Sequence, residues 1–137
     1  MLRPYARSLA VILVLVAVSC SNSGSDTSGD IAITMKDFSL TAEPATFASD
    51  GVTFAIENRG PSVHEFVIIR SDVEPGELPV ANGLIPEDQV DLVDEAEDIA
   101  PGTNTTLTVN LEPGSYVLVC NIPGHYELGM RADFTVG

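Results

Sequence analysis

The sequence predicts an all-β fold, a sandwich or barrel of antiparallel strands with one short helix, and three observations carry that expectation. Six segments beyond residue 30 are rich in β-branched and aromatic residues. Several of them alternate apolar and polar side chains, as a half-buried strand requires. Gly, Pro and Asn stand at the boundaries between them, where a chain must turn.

Taken in order, Ile31–Leu40 alternates, and Val52–Glu57 does the same before the turn-like Asn58-Arg-Gly-Pro61. His64–Arg70, Thr105–Leu111, Ser115–Cys120 and Met130–Val136 follow as further strands. The exception is Pro86 to Ala100, where the spacing predicts a short helix. Pro86, Glu87 and Asp88 suit a helix N-terminus, and Val90, Val93 and Ala96 or Glu97 recur at helical spacing. Glu95, Glu97 and Asp98 would oppose the dipole in its last turn, so packing must hold it. The segment carries seven acids and no base.

Charge and length exclude whole classes of function. The chain has 6 Lys and Arg against 20 Asp and Glu in 137 residues, so no basic patch for a phosphate backbone can form and nucleic acid is not an expected partner. The length suits a single domain.

Arg3 and Arg7 precede ten apolar residues, Leu9 to Val18, and Ser19-Cys20 follow at once. This is the layout of a signal peptide over residues 1–19, too short to span a bilayer. Small residues ahead of a cysteine resemble a bacterial lipoprotein cleavage site, which implies a lipid on Cys20. Ordinary signal cleavage, whose small-residue rule Ala17 and Ser19 also meet, would cut the same bond and leave Cys20 a free thiol. Residues 20–30 are then the lipidated cysteine and a flexible linker, since Ser21–Asp30 contains no apolar residue. Residues 31–137 form the folded domain, expected outside the cytoplasm, in a periplasm or at a cell surface, and anchored to the membrane. Loss of residues 1–19 with Arg3 and Arg7 leaves 118 residues with 4 bases and 20 acids, a net charge of −16. Cys120 is then the one cysteine of the folded part and has no disulfide partner there.

Cys120-Asn-Ile-Pro-Gly-His125-Tyr-Glu-Leu-Gly-Met130 is the most informative stretch. Cysteine, histidine and methionine are the soft and borderline ligands that select copper over hard ions, and three of them lie within eleven residues between two strands. A further ligand must come from elsewhere, and His64 is the only other histidine. Taken singly, a buried Cys is a small hydrophobe, Met130 a core residue and His64 an ordinary strand residue. The set of four together points to a metal.

With Asn58-x-Gly60 leading to His64, and Pro113-Gly-Ser-Tyr-Val-Leu-Val-Cys120 leading to His125 and Met130, residues 31–137 resemble the cupredoxins, the type 1 (blue) copper proteins. The Cys-x4-His-x4-Met spacing is closer to the rusticyanin and sulfocyanin type than to plastocyanin. The resemblance implies a Greek-key β-sandwich and one copper ion, with His64, Cys120 and His125 as trigonal ligands and Met130 as the weak axial ligand. It also implies that the edge of His125 is the electron port, with Pro123, Tyr126 and Leu128 as a rim for partner docking. The stretch further resembles the last domain of multicopper oxidases, in which histidines flank the cysteine. Here Val119 and Asn121 flank Cys120, no histidines remain for a second copper site, and an enzyme is not expected.

The leading expectation is a monomeric, membrane-tethered carrier of single electrons that serves a redox protein such as a cytochrome c or a terminal oxidase or reductase. A copper-binding carrier or storage module is the alternative, and such sites are open and rich in Met or His, whereas only Met35 and Met130 remain here. A metal-free adhesive sandwich would leave the Cys-His-Met set unexplained. The acidic run Glu87 to Asp98 is either a steering surface for a basic partner or the solvated face of an acidic protein.

Overall fold

The structure, a computed structural model, describes residues 29–48 and 51–137. The signal peptide, Cys20 and most of the linker lie outside the described residues.

Among the described residues, nine strands build two sheets. They are β1 (Ile31–Lys36), β2 (Ser39–Glu43), β3 (Thr46–Phe47), β4 (Gly51–Asn58), β5 (His64–Arg70), β6 (Asp91–Ile99), β7 (Asn104–Asn110), β8 (Gly114–Val119) and β9 (Arg131–Val136). One sheet has the order β2-β1-β4-β7 and the other β3-β9-β8-β5-β6, so the chain passes repeatedly from one sheet to the other. Most neighbours are antiparallel, as expected, but β1 pairs with β4 and β3 with β9 in parallel. Both parallel pairs join strands that are not consecutive, so no hairpin dictates their direction.

The two sheets face each other through an apolar interior. Phe54 on β4 meets Phe66 on β5 and Phe134 on β9, with ring centroids 5.4 Å apart in each pair, within the range aromatic pairs favour. Cys120 and Met130 belong to this same buried cluster. A second cluster lies on the opposite face of the five-stranded sheet, where Val67, Ile69, Val117 and Val119 pack beneath Leu78, Ile85 and Tyr126. β5 and β8 are therefore covered on both faces. That is why Phe66-Val-Ile-Ile69 and Tyr116-Val-Leu-Val119 are unbroken apolar runs instead of alternating ones.

The predicted helix over Pro86 to Ala100 is not formed. Only a single 3-10 turn, Glu87–Gln89, follows Pro86, and Asp91–Ile99 is the edge strand β6, paired with β5. A helix would have set Glu95, Glu97 and Asp98 against its own negative end with no base to offset them. As an edge strand the segment needs one partner only and can leave Asp91, Glu97 and Asp98 in solvent, where they also discourage pairing with another chain. Register shifts between His64 and Phe66 and between Ile68 and Ile69 accommodate it, and Asp98 adopts a left-handed φ of 52°.

Two further features escaped the sequence. The run Ile31–Leu40 is split by a turn at Asp37 and Phe38 into the hairpin β1–β2, with Phe38 at φ 67°. The two-residue β3 is held by β9.

Candidate metal centre

Strand alternation aims two of the four expected ligands into the sandwich. On β5, His64, Phe66 and Ile68 share the interior face, and beyond β8 Cys120 continues the interior face of Tyr116 and Leu118. His64 and Cys120 are both fully buried. The loop after β8 then turns back on itself. Cys120 N donates to Met130 O at 3.0 Å, Met130 N to His125 O at 3.0 Å, and His125 N to Ile122 O at 3.0 Å. Gly124 and Gly129 supply φ values of 81° and 118°, and a Cβ at Gly129 would stand 3.0 Å from the Phe38 carbonyl oxygen.

These turns converge three side chains on one point. Cys120 Sγ lies 3.6 Å from His125 Nδ1 and 3.8 Å from His64 Nδ1. The three donor atoms fall within 4.8 Å of one another. Met130 is buried in the same cluster as Cys120. One thiol, two imidazoles presenting Nδ1 and a neighbouring thioether fit a single type 1 copper.

The surroundings of Cys120 and His64 favour the uncharged form of each until a metal arrives. Burial pushes the Cys120 thiol above its ordinary value, partly countered by the backbone amides of Glu65 and Ile122; the Glu65 amide stands 3.5 Å from the sulfur. Burial, with the nearby His125, lowers His64, while Asp37 works the other way. Metal binding supplies the charge that stabilises a thiolate here. Just outside, burial and the carboxylates of Glu95 and Glu87 push Glu65 up to about 7.

Two asparagines hold the site: Asn58, already part of the motif leading to His64, and Asn121, whose holding role the sequence did not show. Asn58 is fully buried; its amide donates to Ser62 O and Ile99 O at 2.8 Å each, and its Oδ1 accepts from Gly60 N at 2.9 Å. It thereby shapes the turn that delivers His64. Asn121 clasps the segment at Ile85, accepting from Ile85 N at 2.8 Å and donating to Ile85 O at 3.2 Å. Gly124 N donates to Gly83 O at 2.8 Å. The segment before β6 thus fastens the ligand loop from outside.

Of the three expected docking residues, Pro123 and Leu128 are exposed, Leu128 by 60%. Tyr126 is buried instead. Its hydroxyl accepts from Leu78 N at 3.0 Å, and the Arg131 guanidinium lies 5.3 Å from its ring centroid. Tyr126 is a structural anchor: its buried side chain ties the loop to the second apolar cluster. Phe38 takes the surface place: it is 50% exposed and meets the His125 ring edge-on at 5.7 Å.

A family model described as a cupredoxin-like domain matches residues 9–130. The chain belongs to the cupredoxin-like family. Its fold is similar to solved cupredoxin-like structures at low identity. Auracyanin from Roseiflexus castenholzii is 21% identical, over 77% of this chain and 94% of that one, with a TM-score of 0.58. Auracyanin A from Chloroflexus aurantiacus, described as a "blue" copper protein, is 19% identical over 77% and 99%, with a TM-score of 0.54. Reduced rusticyanin is 18% identical over 77% and 78%, with a TM-score of 0.55. A search of curated proteins gave no match.

Proposed function

We propose that this cupredoxin-like chain carries single electrons with one type 1 copper and catalyses no reaction of its own. The convergence of Cys120 Sγ with the Nδ1 atoms of His64 and His125 carries this proposal. Bound copper supplies the one-electron couple. The protein supplies a preformed set of donors acceptable to both oxidation states, so little moves when charge changes. His64 and Cys120 stay shut away from water, and His125 alone of the three is partly exposed. That makes His125 the route by which electrons enter and leave. The enclosed donors also favour a resident ion over the exchangeable metal of a storage module.

Phe38 packs edge-on against the His125 ring, Pro123 and Leu128 flank it in the loop as exposed apolar residues, and the acids of β6 lie on the outer edge of the sheet that carries His64. A redox protein such as a cytochrome c, basic around its own electron port, would suit both features. The signal layout and Cys20 support a site outside the cytoplasm with a lipid tether. No helix among the described residues is long and apolar enough to cross a membrane.

The deciding experiment is the visible spectrum of the copper-loaded domain. Cu(II) should give an intense thiolate-to-copper band near the red end that bleaches on reduction, and a colourless Cu(II) complex would refute the proposal. Mass spectrometry of protein from its native host tests the tether: an acylated Cys20 is expected, and an unmodified one removes the anchor while leaving the electron-carrier proposal in place.

A further inference from the structure

A histidine that offers Nδ1 to a metal must place its other ring nitrogen somewhere. His64 Nε2 is buried and lies 3.3 Å from Asp37 Oδ1, and neither atom has a hydrogen-bond partner. Asp37 comes from the facing sheet, at the turn between β1 and β2. Its second oxygen accepts a hydrogen bond from Ser62 Oγ at 2.7 Å. An aspartate carboxyl is an anion at neutral pH, and the hydrogen bond from Ser62 supports that charged form. The backbone closes over the pair at Gly60, where a Cβ would stand 2.6 Å from Asp37 Oδ1 and 2.9 Å from His64 Nε2.

We propose that Asp37 is a positioning residue of the metal centre: its carboxylate holds the proton of His64 on Nε2, leaves the Nδ1 lone pair free beside Cys120, and favours Cu(II) over Cu(I). The inference rests on the copper assignment above. A neutral imidazole carries one proton, and the two buried nitrogens here have unequal surroundings. With the proton on Nε2, it lies beside an anion 3.3 Å away and the Nδ1 lone pair stands beside Cys120 Sγ. With the proton on Nδ1, a lone pair would face that anion, and the only acceptor for the proton would be Cys120 Sγ at 3.8 Å, a long contact even for sulfur. Carboxylate partners on ligand histidines fix the tautomer and raise ligand basicity in this way. A fixed negative charge next to the ligand set also stabilises the higher metal charge more than the lower.

Two measurements on the full chain test this. In the metal-free protein, nitrogen NMR of the His64 ring should report the Nε2–H tautomer in the wild type and in Asp37→Asn, which keeps an oxygen acceptor, and a mixture in Asp37→Ala. In the copper-loaded protein both variants should raise the reduction potential. A tenfold loss of preference for Cu(II), the lower end of the usual effect of removing such a partner, corresponds to about 59 mV for one electron. An unchanged tautomer in Asp37→Ala overturns the proposal without involving copper at all, and unchanged potentials in both variants overturn it equally. Absence of the thiolate band in the wild type would refute the copper assignment instead, and the metal-free tautomer would still decide the role of Asp37.

Discussion

The Asn58 side chain donates to the carbonyl oxygen of Ile99 at 2.8 Å, and Ile99 is the residue paired with His64 across β5 and β6. One buried amide therefore ties the end of β4 to the strand neighbour of a metal ligand. Its remaining hydrogen bonds, to Ser62 O and from Gly60 N, fix the turn between.

Asn58→Ala removes all three bonds and takes this partner from two carbonyl oxygens and the Gly60 N–H. At about 1 kcal/mol per bond plus the cost of unsatisfied buried groups, the loss should be roughly 2–4 kcal/mol. For a domain of this size that lowers the melting temperature by about 10 °C. Calorimetry of the metal-free domain checks it, and a change under about 2 °C would show that the turn is held by other contacts.

Cys120→Ser should abolish the visible band, because the band is a transition from the thiolate. Met130→Leu should keep the band and raise the potential, since a weak donor that stabilises Cu(II) is lost. Electrochemistry of the two variants beside the wild type separates the roles. A Met130→Leu potential equal to or below the wild type would remove Met130 from the ligand set.

Glu95 on β6 gives a pH signature. Burial, then Glu87 from the 3-10 turn and Glu97 and Asp94 from its own strand, raise its pKa above the ordinary 4.5, and Glu65 faces it from β5. A raised carboxyl contributes stability that is fully present below the unfolded value and lost as pH climbs through the folded value. Glu95→Gln removes that loss. Its melting temperature should match the wild type near pH 4 and exceed it at pH 8, by an amount that solvent screening keeps small. Equal melting curves at both pH values would show that water reaches Glu95 freely.

Two surfaces near the site separate by salt. If the β6 acids steer a cationic partner, Asp91→Asn/Asp94→Asn/Glu95→Gln should flatten the salt dependence of reduction by a basic cytochrome and leave the high-salt rate alone, because exposed charges are screened within about 10 Å at 0.1 M. Leu128→Asp should lower the rate at every salt concentration, since it places a charge in the apolar rim of His125. Stopped-flow kinetics across a salt series measures both. An unaltered slope in the triple variant assigns the acids to solvation alone.

The sequence by itself determined the β architecture and singled out the candidate ligands. Cysteine, histidine and methionine are scarce in this chain, so His64, Cys120, His125 and Met130 stand out without any knowledge of contacts. Their spacing around two glycines already describes a loop closed by strands. Tertiary structure decided whatever depends on a distant partner. β6 reads as a helix because its few apolar residues fall at helical spacing, and only the open edge of β5 makes a strand the better use of those acids. Tyr126 reads as a surface aromatic, but the segment around Leu78 covers it. Asp37 and Phe38 sit inside an alternating run that conceals a turn, and their importance comes from contacts with His64 and His125, far along the chain. Periodicity records how a residue relates to its own strand, while the company it keeps across the sandwich is set only when the two sheets close.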